Sequence, residues 1–326
     1  MIQRTPLALA ALVFLLLVSA PFWLNAYPQT LLTEILIFGL FAASIDLLAG
    51  VAGRTSLGHG AIFGTAAYVV AWCQGAAGLD PWLAAVLGVA AATLLALVFG
   101  LLAVRTEGVY FLLLTLALGM VVWGVAYRWV SVTGAESGLR GVERPAGLQD
   151  RAHFYWFVLA VVGVTFLALR RVVRSQFGLA LRGIQQSSTR MRTLGYNVPL
   201  TLALAFTVSG FVAGVAGVLG VYLNSFVSPS SVALAQSTKG LLMAILGGVG
   251  TLWGGFIGAG VMIALENLVS FYTERWAMVL GILFVLTMLY APAGLLGAFA
   301  GLLQRLRARS PRQDAPQPSA SPQTND

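Results

Sequence analysis

Long, uninterrupted apolar runs constrain this chain more than any other feature. Leu94 to Val104 and Phe157 to Leu169 carry no charge and are apolar on all sides, so neither has a face suited to water. Crossing a hydrocarbon layer of about 30 Å takes roughly 20 such residues. Ten segments, two of them short, approach or exceed that length: 7–24, 31–50, 61–73, 82–104, 109–130, 153–170, 199–222, 238–250, 255–271 and 277–296. The composition agrees, with 59% hydrophobic and only 9% charged residues, where a soluble domain carries about 25% charged. Within lipid every backbone polar group needs an internal partner, which leaves helices or a closed barrel. Barrel strands alternate apolar and polar positions, and these runs do not. The expected fold is all-α: a polytopic transmembrane helix bundle of about ten segments with interrupted helices. Arg4, Leu7 to Val18 and the small pair Ser19-Ala20 also resemble a secretory signal peptide, against which Pro21 argues. Cys73, the single cysteine, lacks metal-ligand neighbours and is read as packing.

Arginine placement orients the bundle, because positive loops are retained in the cytoplasm. Between the sixth and seventh segments stand Arg170, Arg171, Arg174, Arg182, Arg190 and Arg192, with no acid among them. Counting crossings from that loop puts Arg4, Arg54, Arg105, Arg305, Arg307, Arg309 and Arg312 on the same side. The opposite side receives Arg128, Arg140, Arg144, Arg151 and Arg275, diluted by Asp80, Glu136, Glu143, Asp150 and Glu274. Thirteen against five places both termini in the cytoplasm. The net charge of +8 is thereby a topology signal and implies no nucleic-acid partner. Residues 1–303 form the membrane domain, and 304–326 a basic and then disordered tail.

Two stretches look interrupted. One is Gly50 to Gly60, holding Gly53, Ser56, Gly58 and His59; the other is Gly247 to Gly255, holding Gly248 and Gly250. Gly-broken segments at matching places in two halves point to a permeation pathway, yet tight cytoplasmic turns fit the composition equally well. Asp46 is the deepest ionisable residue of the spans and joins Ser56, Gly58, His59, Gly247, Gly248 and Gly250 as a pathway candidate. Glu34, Lys239 and Glu266 lie near outer ends, where each is expected to snorkel separately. Gly210, Gly214 and Gly217, then Gly254, Gly258 and Gly260, form small-residue faces for close helix contact.

Lys239 is the chain's only lysine, and its neighbours Ser237-Thr238 and Gly240-Leu241 do not make a phosphate-binding loop. No nucleophile elbow or zinc-binding His pair occurs, so neither a catalytic site nor a metal site is expected. The inner loop from Arg174 to Gln186 mixes apolar and basic residues at helical spacing. Such an amphipathic helix suits anionic lipid headgroups through its arginines, or a soluble partner through Phe177, Leu181 and Ile184.

These residues resemble a family: the permease subunits of bacterial ABC importers for branched-chain amino acids, of the LivM type. Gly50-Val51-Ala52-Gly53-Arg54-Thr55-Ser56-Leu57-Gly58-His59-Gly60, running on through Tyr68, is similar to its signature of a glycine pair, Ser-Leu-Gly-His and a small-residue helix. Gly108-Val109-Tyr110-Phe111 with Thr115-Leu116-Ala117, Ser175 to Asn197 ending in Leu194-Gly195-Tyr196-Asn197, Gly247 to Gly255, and Ala291-Pro292-Ala293-Gly294-Leu295 follow in the family's order. The resemblance covers about Leu32 to Gly297. Two departures stand out. The family's Ala-Ile-Arg-Glu-Asn run is here Gly183-Ile184-Gln185-Gln186-Ser187, without the acid, and Arg54-Thr55 replaces a Gln followed by Leu or Ile.

The resemblance implies a bacterial inner-membrane subunit that pairs with a second homologous permease, with two cytoplasmic ATP-binding subunits and a periplasmic substrate-binding protein. The chain would bind no cofactor, ATP being used by the partner subunits. The cytoplasmic coupling segment would run over about 171–198, with Arg174, Phe177, Gly178, Leu181, Arg182, Ile184, Leu194 and Gly195 as its candidate contacts. A urea or short-amide importer is the alternative within the class. An ATP-independent channel or secondary transporter is the alternative outside it.

Overall fold

In the computed structural model, residues 16–272 and scattered positions between 278 and 297 are described. The start of the first expected segment, most of the last and the tail from 304 lie outside them.

The elements are α1 (Ala26–Asp46), a π-helical turn (Leu47–Val51), α2 (His59–Gly75), α3 (Pro81–Ala103), α4 (Val109–Arg128), α5 (Arg151–Arg174), α6 (Gln176–Gln186), α7 (Ser188–Thr193), α8 (Val198–Asn224), α9 (Leu234–Gly247) and α10 (Gly254–Tyr272). A further helical stretch covers 16–23. Among the described residues, five helices are long and apolar enough to cross a membrane: α1 with its π turn, α3, α4, α5 and α8. The chain is an all-α, multi-pass membrane bundle.

Local chemistry starts the helices where the apolar runs begin. Asp80 accepts from the Trp82 N–H at 3.0 Å ahead of Pro81, and Asn197 accepts from the Leu200 N–H at 3.2 Å, each filling an orphan donor of a first turn.

Packing then follows small residues. α1 and α8 are the most enclosed spans, whereas α3 and α4 turn most of their surface outward. A Cβ on Gly214 would stand 2.7 Å from the Ala92 methyl. One on Gly210 would collide with the Ala96 methyl, and one on Gly217 with the Phe63 carbonyl. The glycine face of α8 therefore seats α3 and α2 at backbone distance. In α10 the pattern holds only in part. Gly258 lies against the Met243 carbonyl, but Gly260 meets nothing nearer than Ile35 at 3.7 Å and is not a contact glycine.

At one end of the bundle the loops cross-bond. Gln74 exchanges hydrogen bonds with the Glu143 backbone at 2.9 and 3.3 Å, and the Tyr222 hydroxyl donates to the Pro81 carbonyl at 2.5 Å. Arg144 donates to the Tyr222 and Leu223 carbonyls at the end of α8, where a cation also complements the helix dipole. Leu139–Arg140 (β1) pairs antiparallel with Phe226–Val227 (β2). Two of the membrane charges near this end pair with each other. Lys239 Nζ stands 2.6 Å from Glu266 Oε2 and 5.0 Å from the Phe38 ring centroid, because α9, α10 and α1 pack together.

Replacing Gly214 by Leu should overpack the α8–α3 seam, at a cost of about 1–3 kcal/mol or more. Gly260→Ala should leave stability unchanged. Thermal denaturation of the detergent-solubilised full chain, followed by size-exclusion fluorescence, separates the two.

Candidate functional site: two glycine turns and the coupling helices

The opposite end gathers both interrupted stretches. α1 widens into the π turn Leu47–Val51 and unwinds over Ala52 to Gly58 before α2 begins at His59. This is irregular backbone inside the bundle: the Leu57 N–H is held by the Thr115 hydroxyl at 3.2 Å. Thr115 stands six residues into α4, about 9 Å along it. Such backbone needs local partners, and hydroxyls supply them. Thr115 takes Leu57, Ser56 takes the Gly58 N–H at 3.2 Å, and Ser237 of α9 takes the Gly60 N–H at 2.8 Å.

The second turn, Gly248 to Trp253, lies directly on the first. A Cβ on Gly50 would strike the Gly250 backbone and the Asp46 carboxylate, so this crossing admits only glycine. Asp46 fastens it. Its Oδ1 accepts from the Gly250 N–H at 2.6 Å and its Oδ2 from the Leu252 N–H at 2.8 Å. Leu252, at φ +58°, sits in the left-handed region that strains a branched side chain. The carboxylate bond holds it there.

His59 is fully enclosed and its Nε2 lies 2.7 Å from Ser209 Oγ. Ser209 donates its single proton to the Ser44 carbonyl at 2.5 Å. Histidine must then be the donor to Ser209, which fixes the Nε2–H tautomer. Its Nδ1 has no partner in the described residues. The residue pins α2 to α8 and, through Ser209, to α1.

The expected pathway residues thus lie at the same end of the bundle. Asp46, Ser56 and His59 are closed to solvent, Gly58, Gly247 and Gly248 are buried, and Gly250 alone is exposed. Among the described residues, the two turns and their hydrogen bonds form a closed junction at this end of the bundle.

The coupling segment contains two helices. α6 is the amphipathic helix expected, yet its apolar face is not free for a partner. Leu181 and Ile184 are buried in this chain's own core, Phe177 packs against it, and Gly178 lies on the Val173 carbonyl. Of the expected contacts, Arg182, Leu194 and Gly195 face outward, as do Leu179 and Gln186 beside them. Arg174 is exposed but belongs to the last turn of α5; the loop expected to open at Arg170 begins only after it.

Sequence reasoning missed the joints between this segment and the turns. Gln185 Nε2 donates to the Gly50 carbonyl at 3.3 Å, and a Cβ on Gly53, at φ +69°, would press on the Gln185 side chain. Arg54, mostly buried, donates to Glu107 Oε1 at 2.8 Å and to the Thr106 carbonyl at 3.2 Å, and Ser188 donates to the same Glu107 oxygen at 3.3 Å. One carboxylate therefore ties the first turn, the α3–α4 loop and α7. Glu107, a lone acid beside the Gly108-Val109-Tyr110-Phe111 motif and among arginines, was the available signal. The departure at Arg54 has its counter-charge there.

The chain matches the family described as branched-chain amino acid transport system / permease component over residues 27–288. It belongs to that family. Among curated relatives it is 27% identical to the high-affinity branched-chain amino acid transport system permease protein LivM of Salmonella typhimurium, over 86% of this chain and 72% of that one. The LivM protein of Escherichia coli matches equally. The high-affinity branched-chain amino acid transport system permease protein LivH of Escherichia coli is 27% identical over 80% of this chain and 91% of its own. Within this family, the chain is a transport permease subunit.

Asp46→Ala strips the buried Leu252 N–H of its acceptor, at about 1–3 kcal/mol, together with the part-buried Gly250 N–H, and should lower the melting temperature far more than Asp46→Asn, which keeps one acceptor oxygen. The Arg54 guanidinium, by hydrogen bond and then by charge, holds the Glu107 carboxyl below the usual carboxylate range, and burial opposes this only weakly. Its stabilisation is therefore complete above the unfolded carboxylate pKa and lost as pH falls through the lower folded value. With a half-exposed Glu107 the effect is about 0.5 kcal/mol. A wild-type advantage over Glu107→Gln that persists at pH 7 and is lost as the pH falls below the usual carboxylate range, read by thermal melts, checks it.

Proposed function

We propose that this chain is the translocation subunit of an ATP-driven importer for branched-chain or other hydrophobic amino acids in the bacterial inner membrane. It pairs with a second homologous permease, two cytoplasmic ATP-binding subunits and a periplasmic binding protein. The bundle has about ten segments, with the glycine turns, α6, α7 and both termini on the cytoplasmic side.

One observation beyond family membership carries the reading. The exposed faces of α6 and α7 are joined through Gln185, Ser188, Glu107 and Arg54 to the Gly50 turn, and through Asp46 to the Gly250 turn. A displacement imposed on Leu179, Arg182, Gln186 or Leu194 by ATP-binding subunits is thus delivered to the closure. ATP binding shifts the permease by favouring one of its states over the other. Phe177, Leu181 and Ile184 anchor the lever to the bundle, and Arg182 and Leu194 meet the partner.

Reconstitution of the full complex in liposomes tests this. Uptake should require ATP and all partners, and flux from this subunit alone would favour an ATP-independent channel. Gln185→Ala combined with Glu107→Gln should cut uptake severalfold while leaving ATPase association intact. Full uptake by that variant would sink the lever.

A further inference from the structure

We propose that the inner end of α5 is a binding site for the phosphate headgroup of an anionic phospholipid. Arg170, Arg171 and Arg174, with Leu167 and Ser175, border an open hollow of about 630 Å³. Among the described residues the ion pairs are Arg54 with Glu107, His153 with Asp150, and Lys239 with Glu266. None of the three arginines therefore has a carboxylate. The helix dipole offsets only about half an elementary charge, so most of their charge is uncompensated where the span leaves the bilayer.

The surroundings favour a lipid over a soluble anion. Val164, Leu167, Arg171 and Arg174 follow one another at steps of three and four residues on one face of α5. Val164 and Leu167 are 69% and 60% exposed. An acyl chain can lie along that aliphatic stripe while its phosphate meets guanidinium groups, which bind phosphate through paired N–H donors. The half-exposed Trp253 indole lies beside Arg170, 6.0 Å from ring centroid to guanidinium, and Phe166 packs edge-on to that indole at 4.5 Å. An indole at this level marks a membrane boundary, where basic pockets recognise anionic headgroups. The ATP-binding partner is the less suited occupant, because these residues stand on the span itself while α6 and α7 present the outer faces.

The site transfers Arg174 from partner contact to lipid contact. It also sets a lipid at the root of the lever, since Gly178 of α6 rests on the Val173 carbonyl of the same turn. The inference leans on the functional reading only for which leaflet supplies the lipid, and its test reads lipid retention instead of transport, so either can fail alone.

The test is native mass spectrometry of the full chain released from nanodiscs of phosphatidylcholine with phosphatidylglycerol. Wild type should retain phosphatidylglycerol preferentially. Replacing Arg170, Arg171 and Arg174 together by Gln should reduce that preference about a hundredfold, the sum expected of three interfacial arginines. The matching triple Lys variant should keep most of it and show that the fold is intact, and Arg190→Gln with Arg192→Gln on α7 should leave it unchanged. Undiminished retention by the triple Gln variant, or an equal loss in the α7 control, overturns the site. Displacement of the lipid by millimolar inorganic phosphate would make the ligand a soluble anion and overturn the lipid assignment.

Discussion

The contact between the Gly50 and Gly250 turns governs one end of this bundle. Two backbones meet there with no side chain between them, and the Asp46 carboxylate closes the junction with one hydrogen bond to each of two amides. The surrounding hydroxyls follow from that crossing. Because α1 must open into a π turn and unwind to bring Gly50 into place, Leu57, Gly58 and Gly60 lose helical partners, and Thr115, Ser56 and Ser237 replace them. The closure thus draws on α1, α2, α4 and α9 at once.

The same crossing links the membrane spans to α6 and α7. Gln185 reaches the Gly50 carbonyl, and Glu107 collects Arg54 and Ser188. These joints are polar and few, whereas Leu181 and Ile184 are buried among apolar neighbours. A helix held firmly at its root and lightly at its tip suits transmission of a push better than a uniformly packed one.

Much of this was legible in the residues. Apolar runs announced the helices, caps such as Asp80 and Asn197 marked where they start, and the glycine spacing of α8 foretold its close seams. Both interrupted stretches and Asp46 were identifiable, because glycine runs and a lone carboxylate in a span have few uses. Their contact was not, since Gly50 and Gly250 are distant in the chain and only tertiary packing brings them together. The amphipathic pattern of α6 was plain, but periodicity says that a face is apolar and not what covers it. Glu107 was passed over for a related reason: a single acid acquires meaning only from Arg54 and Ser188, which arrive from other elements. Lys239 and Glu266 illustrate the opposite error, charges read singly that pair across helices.

The central claim is that the coupling helices and both glycine turns move as one unit. Spin labels on cysteines replacing exposed Gln186 and Val249, in a Cys73→Ala chain within the assembled importer, measure it through their separation by double electron–electron resonance. The account expects one narrow distance that is the same with and without ATP, while each label shifts relative to a third on the Arg140 loop. A Gln186 to Val249 distance that changes with nucleotide while the Val249 turn stays fixed would contradict it.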